Sequence, residues 1–167
     1  SISYLFFADR VNQLPMGVVG VAVGTALLPL LSRQVRAGDE VGARYSQNRA
    51  LEFSLFLALP AAVALVVIAG PTVTFLFERG AFTANDAAAT AGALAVYATG
   101  LPAYVLVKGL TPGFFAREDT VTPVKIGLLA VAVNLALNLI LMEPLLHIGI
   151  AAATSVSAWL NAALLMM

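Results

Sequence analysis

Apolar runs of bilayer length, separated by short polar stretches, set the pattern of this 167-residue chain. Crossing a hydrocarbon core takes about 20 mostly apolar residues. Leu51 to Ala69, Ala87 to Val107, Ile126 to Met142 and Ile150 to Met167 meet that length or approach it, and Met16 to Leu31 meets it with its flanks. Ser1 to Arg10 reads as the end of one more helix. The expected fold is all-α: a polytopic transmembrane helix bundle with about five full spans plus the end of another, forming one transmembrane region over 1–167. No stretch alternates apolar and polar residues with the two-residue period of a barrel strand.

Punctuation residues refine the pattern. Pro15 falls where a helix can begin, because its missing N–H costs nothing in a first turn. Pro29 is expected to kink or end the helix that follows, and Pro60 and Pro102 to kink theirs. Gly70-Pro71 predicts a bend, with helix resuming over Thr72 to Phe77. Thr83 is a candidate N-cap, with Asp86 at capping-box spacing. The polar connections expected are Arg33 to Arg49, Glu78 to Asp86, Gly109 to Lys125 and Glu143 to Gly149. Gly38-Asp39 is a turn signal in the first, and Glu40 to Asn48 fits a short interfacial helix.

Charge orients the bundle. Arg33, Arg36, Arg44 and Arg49 mark the first connection as basic, and Lys108, Arg117 and Lys125 mark the third. The other two are not basic, so basic and non-basic ends alternate as an up-down bundle requires, with the basic ends cytoplasmic. Composition agrees: 60% hydrophobic, 11% charged, mean hydropathy +0.93, against roughly 25% charged in soluble domains. Zero net charge gives no footprint for nucleic acid, and the lack of cysteine excludes disulfides and thiolate metal sites. Ser1 in place of an initiator Met, and a last stretch NAALLMM that stops inside an apolar run, read as an internal piece of a longer membrane protein.

Asp9 and Arg10 carry the candidate chemistry, embedded between apolar runs. A charge in hydrocarbon costs about 2.5 to 17 kcal/mol, so such residues face a wet cavity or each other. Arg10 offers a fork of donors suited to phosphate oxygens. Adjacent helical positions are about 100° apart, so Asp9 and Arg10 need not pair. The competing reading of Arg10 is a helix-end arginine snorkelling to headgroups, and spacing alone does not choose. Gln13 lies one turn on from Asp9, and Asn12 and Asn48 are further polar positions. Asn134 and Asn138 share a helix face, either lining a polar cavity or bridging to a neighbouring helix. Gly17, Gly20 and Gly24 allow close helix approach. Lys108 reads as a snorkelling helix-end residue, His147 as a surface histidine in a turn, and Trp159 as a packing or interfacial residue. No phosphate loop, metal-ligand cluster, cofactor motif or nucleophile triad appears, so the chain reads as a transporter or scaffold, not an enzyme.

The string FFADRVNQLPMGVVGVAVGTALLPLLSR resembles the lipid II flippase family, MurJ (also called MviN), of the multidrug/oligosaccharidyl-lipid/polysaccharide exporter superfamily. LFERGAFTANDAAATAGAL, YATGLPAYVLVKGLTPGFFAREDTVTPVKI and HIGIAAATSVSAWLNAALL follow in the family's order. The resemblance implies about fourteen transmembrane helices in two lobes around a cationic cavity, with this chain running from the end of the seventh helix into the twelfth. It implies a multi-pass protein of the bacterial cytoplasmic (inner) membrane. Such a protein moves lipid II, the undecaprenyl-pyrophosphate-linked peptidoglycan precursor, to the outer leaflet by alternating access, in support of cell-wall biogenesis and cell shape. Arg10 would meet the pyrophosphate, with Asp9 as its acidic neighbour and Gln13 where some relatives carry an acid, so no carboxylate role carries over to Gln13. The partners implied are lipid II, the bilayer and the remaining helices of the same transporter, without which the piece alone should not transport. Two other readings stand beside it. One is a flippase or exporter of another cargo, a polysaccharide-lipid or a drug. The other is a non-transporting membrane scaffold of the wall-synthesis machinery.

Overall fold

The computed structural model of the chain describes residues 2–77 and 83–167, and every regular element in them is helical. α1 (Ile2–Met16) passes through a π-helical turn (Gly17–Val21) into α2 (Ala22–Arg36). α3 (Glu40–Val67) and α4 (Ala69–Phe77) follow, then α5 (Ala84–Ala116) and α6 (Val121–Met166). α6 breaks at Leu146, where φ is 50° and ψ is −126°, so it is two limbs. Four segments are long and apolar enough to cross a membrane: Glu40–Val67, Ala84–Ala116, Val121–Glu143 and Leu145–Met166.

The expected helix end near Arg10 and fresh start at Pro15 are not there. Pro15 sits inside α1, and the chain answers its missing N–H two residues later with the wider π turn, in a stretch holding Gly17 and Gly20. The piece read as the end of one more helix is thus the start of the same rod. Pro29 likewise leaves α2 running to Arg36, and α3 passes Pro60 as one helix.

Two expected linkers also turn out to be helix. Only residues 37–39 separate α2 from α3, and only 117–120 separate α5 from α6. Polar side chains there bond from helix to helix. Gln34 Nε2 donates to Ser46 Oγ at 3.0 Å, and Gln47 Nε2 donates to the Leu110 carbonyl at 3.2 Å. Glu40 to Asn48 is the first part of α3, not a separate interfacial helix. Lys108 lies eight residues before the end of α5.

Other expectations hold. The chain breaks at Ile68 and resumes as α4 through Gly70-Pro71. Thr83 caps α5 with a reciprocal capping box to Asp86. The rest of that connection, 78–82, lies outside the described residues. The connection expected at Glu143 to Gly149 is the Leu146 break, with His147 half-buried beside it.

α5 is the centre of the bundle, touching α1, α2, α3, α4 and α6. Its most apolar window is 67% buried, against 6% for the first limb of α6. Small residues make this possible: a Cβ at Gly100 would sit 3.1 Å from Ser155 Cα of α6. Where those helices touch, Ser155 Oγ donates to the Val96 carbonyl at 2.9 Å and Trp159 Nε1 to the Thr99 carbonyl at 3.0 Å.

Both short turns close in the same way. The Asp39 N–H donates to the Gln34 carbonyl and the Gly38 N–H to that of Val35. The Asp119 and Glu118 N–H groups do the same to Phe114 and Phe115. This bonding places one residue in the left-handed region: Gly38 at φ 75° and Glu118 at φ 62°. Glycine adopts that conformation freely and glutamate does not. Glu118→Gly should therefore stabilise the protein, by about 1 kcal/mol, and Gly38→Ala should destabilise it by a similar amount. Thermal unfolding of the full-length protein in detergent checks both signs.

Asp119 then starts α6. Its Oδ1 accepts from the N–H groups of Thr122 at 3.0 Å and Val121 at 3.1 Å. The Thr122 N–H is the main reason its pKa is held below the ordinary aspartate value. A depressed carboxylate adds stability that is present above the unfolded pKa, about 3.9, and is lost as pH falls through the folded value. Hydrogen-exchange protection of the Val121 and Thr122 amides should therefore hold at neutral pH and fall below about pH 4. In Asp119→Ala it should be low at every pH.

Candidate functional site

α1 and α5 run in the same direction. Tyr4 meets Asp86 near their starts, Gly20 meets Lys108 further along, and Leu27 and Leu31 share a core with Ala116 at the far end. On the orientation set by the basic ends, the first of these levels is non-cytoplasmic and the last cytoplasmic. At the non-cytoplasmic end the Tyr4 hydroxyl donates to Asp86 Oδ1, while Asp86 Oδ2 accepts from Thr83 Oγ1 at 2.7 Å and the Thr83 N–H at 2.9 Å. One carboxylate thus caps α5 and ties α1 to it. The Tyr4 ring also stands edge-on to His147, 5.6 Å between centroids. His147, expected at the surface, has Nε2 buried with no hydrogen-bond partner among the described residues.

Asp9 and Arg10 take different directions from α1. Asp9 Oδ2 accepts from Gln13 Nε2, one turn on. Arg10 is exposed, its guanidinium carbon 5.0 Å from the centroid of the Phe6 ring, with no carboxylate partner among the described residues. The neighbouring acid and base therefore do not neutralise each other. On the same helix, Asn12 is 2% exposed, and its Oδ1 has no partner among the described residues.

Asn134 bridges to the second limb of α6 and also lines a groove, while Asn138 bonds back to it. Asn134 Nδ2 donates to Ser157 Oγ of the second limb at 3.0 Å, and Asn138 Nδ2 donates to Asn134 Oδ1 at 2.9 Å. Asn138 Oδ1 is buried and unpartnered among the described residues. The groove beside them, about 400 Å³, is lined by Tyr104, Asn134, Thr154, Ser157 and Asn161. Tyr104 of α5 lines that groove beside Asn134, while Arg10 is exposed on α1.

Tyr97 and Tyr104 are the residues that sequence reasoning passed over, and Lys108 is one that it took for a helix end. Their spacing, seven and then four, places them on one helix face, which is legible once α5 is known to continue past Lys108.

An all-helical fold with four candidate spans defines a multi-pass helical membrane protein. The family described as lipid II flippase MurJ matches residues 1–167, and the chain belongs to that family. It is a multi-pass protein of the bacterial inner membrane. It is 51% identical over 162 residues to the "Probable lipid II flippase MurJ" of Rhizobium tropici, covering 97% of this chain and 30% of that protein. It is 52% identical to the protein of the same description from Rhizobium meliloti (strain 1021), covering 99% of this chain and 31% of that one. Among solved structures it is similar to "Lipid II flippase MurJ, inward closed conformation", with a TM-score of 0.90 and 32% identity, covering 99% of this chain and 35% of that one. The chain thus spans about a third of the length of the relatives it matches.

The tie between α1 and α5 fixes where Asp9 and Arg10 stand. Tyr4→Phe removes one hydrogen bond to a carboxylate and should lower the melting temperature. Asp86→Ala removes the tie and the α5 cap together, and should lower it further. Thermal unfolding of the full-length protein ranks the two; equal losses would show that the cap contributes nothing.

Proposed function

We propose that the protein containing this chain is a lipid II flippase that carries an undecaprenyl-pyrophosphate-linked precursor from the inner to the outer leaflet by alternating access. Residues 1–167 form one transmembrane unit within the second lobe of a fourteen-helix, two-lobe transporter, and need the remaining helices to act. The observation that carries the reading is Arg10: an exposed guanidinium on a membrane helix, unpaired although an aspartate is its neighbour. A cation left uncompensated in hydrocarbon is costly and marks a substrate path. A pyrophosphate is the ligand that a planar fork of donors compensates. Asp9, held by Gln13, keeps its charge off Arg10, and Asn134 and Asn138 add neutral polar lining. The work is translocation, with no bond of the cargo broken.

Native mass spectrometry of the full-length protein in detergent tests this, with lipid II titrated against wild type and Arg10→Gln. Loss of a charge-assisted hydrogen bond of about 1.5 to 3 kcal/mol predicts at least about a tenfold drop in affinity. Equal binding by both proteins would remove Arg10 from the cargo site. Preference for a different polyprenyl-linked glycan, or for a drug, would replace the cargo. Absence of any such ligand, with a co-purifying wall-synthesis protein, would favour a scaffold.

A further inference from the structure

Lys108 is misread as a helix-end residue. It lies inside α5, half-buried, with no carboxylate partner among the described residues. Its stem runs across α1–α2: a Cβ on Gly20 would fall 2.5 Å from Lys108 Cδ, so only glycine leaves room for the lysine there. Gly20 belongs to the π turn, an irregularity that recurs at functional sites. The Lys108 carbonyl faces the same way, 3.6 Å from where a Gly24 Cβ would stand. It lacks its helical donor, because the residue four on is Pro112, which has no N–H. The result is a cavity of about 340 Å³ lined by Lys108, Gly20, Gly24, Thr25, Thr111 and Phe115.

Depth gives this cavity its meaning. Gln47 bonds the carbonyls of Gly109 and Leu110, and Leu51 packs where a Gly109 Cβ would go. Lys108 is therefore level with the point where α3 changes from polar (Gln47 to Arg49) to apolar (from Leu51), the headgroup level of the cytoplasmic leaflet. A snorkelling lysine at that level turns outward to lipid phosphates. This one turns inward, across the π turn. Arg10 lies ten residues before Gly20 on the same rod, about 15 Å nearer the other leaflet at the helical rise.

We propose that Lys108 is the loading-side phosphate contact of the transport path. It takes the pyrophosphate of the lipid-linked cargo at the inner leaflet, before Arg10 receives it deeper in. This rests on the flippase reading, but assigns a second cation to it, at a different depth and of a different kind. An ammonium is a compact point charge that holds a phosphate without fixing its orientation, suited to a contact that must let go.

The test uses the full-length protein in detergent and native mass spectrometry, with lipid II and phosphatidylglycerol titrated separately. The proteins are wild type, Arg10→Gln, Lys108→Gln, Lys108→Arg and Gly20→Val. Lys108→Gln should weaken lipid II binding several-fold, Lys108→Arg should restore most of it, and phosphatidylglycerol binding should not change. Gly20→Val keeps the charge but pushes the lysine stem aside, and should match Lys108→Gln; it also serves if Lys108→Gln folds poorly. Unchanged lipid II binding in Lys108→Gln and Gly20→Val, with loss in Arg10→Gln, overturns the loading role and leaves the flippase reading standing. A drop confined to phosphatidylglycerol makes Lys108 a headgroup anchor and also overturns it. Failure of wild type to bind lipid II removes the flippase reading itself.

Discussion

A helix in hydrocarbon has no water to satisfy its backbone, so every break in its ladder must be met by the protein. This chain sets itself that problem repeatedly, with Pro15, Pro29, Pro60, Pro102 and Pro112 inside helices. Side-chain donors gather near the prolines of α5, on carbonyls that neighbour those of Ala98 and Lys108, the two that Pro102 and Pro112 leave without a helical donor. Near Pro102, the Ser155 hydroxyl, the Thr99 hydroxyl and the Trp159 indole all donate to carbonyls of α5. Near Pro112, Gln47 bonds the Gly109 and Leu110 carbonyls, and Arg117 Nη1 donates to the Gly113 carbonyl at 2.8 Å. Neighbouring helices can reach these carbonyls only because α5 carries glycine and alanine where they approach. The close packing of α5 and its broken hydrogen bonding are two sides of one arrangement.

What hydropathy records is the thickness of the bilayer, and that is less than the length of these helices. This is why the spans are legible and their ends are not. α3 begins eleven residues before the apolar run that it contains, and α5 continues nine residues past Val107. In both places the sequence turns polar because the helix leaves the hydrocarbon, and the backbone does not respond. Where a local chemical signal exists, the boundary is readable: the Thr83–Asp86 box and the Gly38-Asp39 turn lie where their residues require. Glu118 is the counterexample, adopting the left-handed conformation with no glycine to announce it.

The candidate site shows the same division. That Asp9 and Arg10 need not pair is readable from their adjacency, and Gln13 as the partner of Asp9 follows from helical spacing. The place of Arg10 is not readable, because whether a membrane arginine snorkels or lines a path depends on which side of its helix a neighbour occupies. The asparagines were poised between bridging and lining, and Asn134 does both: its amide nitrogen reaches Ser157 while it lines the groove, and Asn138 supports it with its own Oδ1 left without a partner among the described residues. Lys108 was lost for a different reason. Its role was inferred from a helix end that does not exist.

Among the described residues, the ionic groups that pair do so at the cytoplasmic ends, Arg49 with Glu52 and Arg117 with Glu40. Exposed pairs of this kind contribute little, about 0 to 1 kcal/mol, so they are easily given up. Elsewhere the pattern reverses. Asp9 is bonded by an amide, while Arg10 and Lys108 have no acid among the described residues. A fold selected only for stability would place the acid against the base, since an unpaired charge in hydrocarbon costs far more than a surface pair returns. Holding Asp9 to Gln13, and turning Lys108 across a glycine in a π turn, keeps both cations available at two depths of the membrane. Such an arrangement spends stability to leave positive charge uncompensated, as the proposed transport of an anionic ligand between the two levels requires.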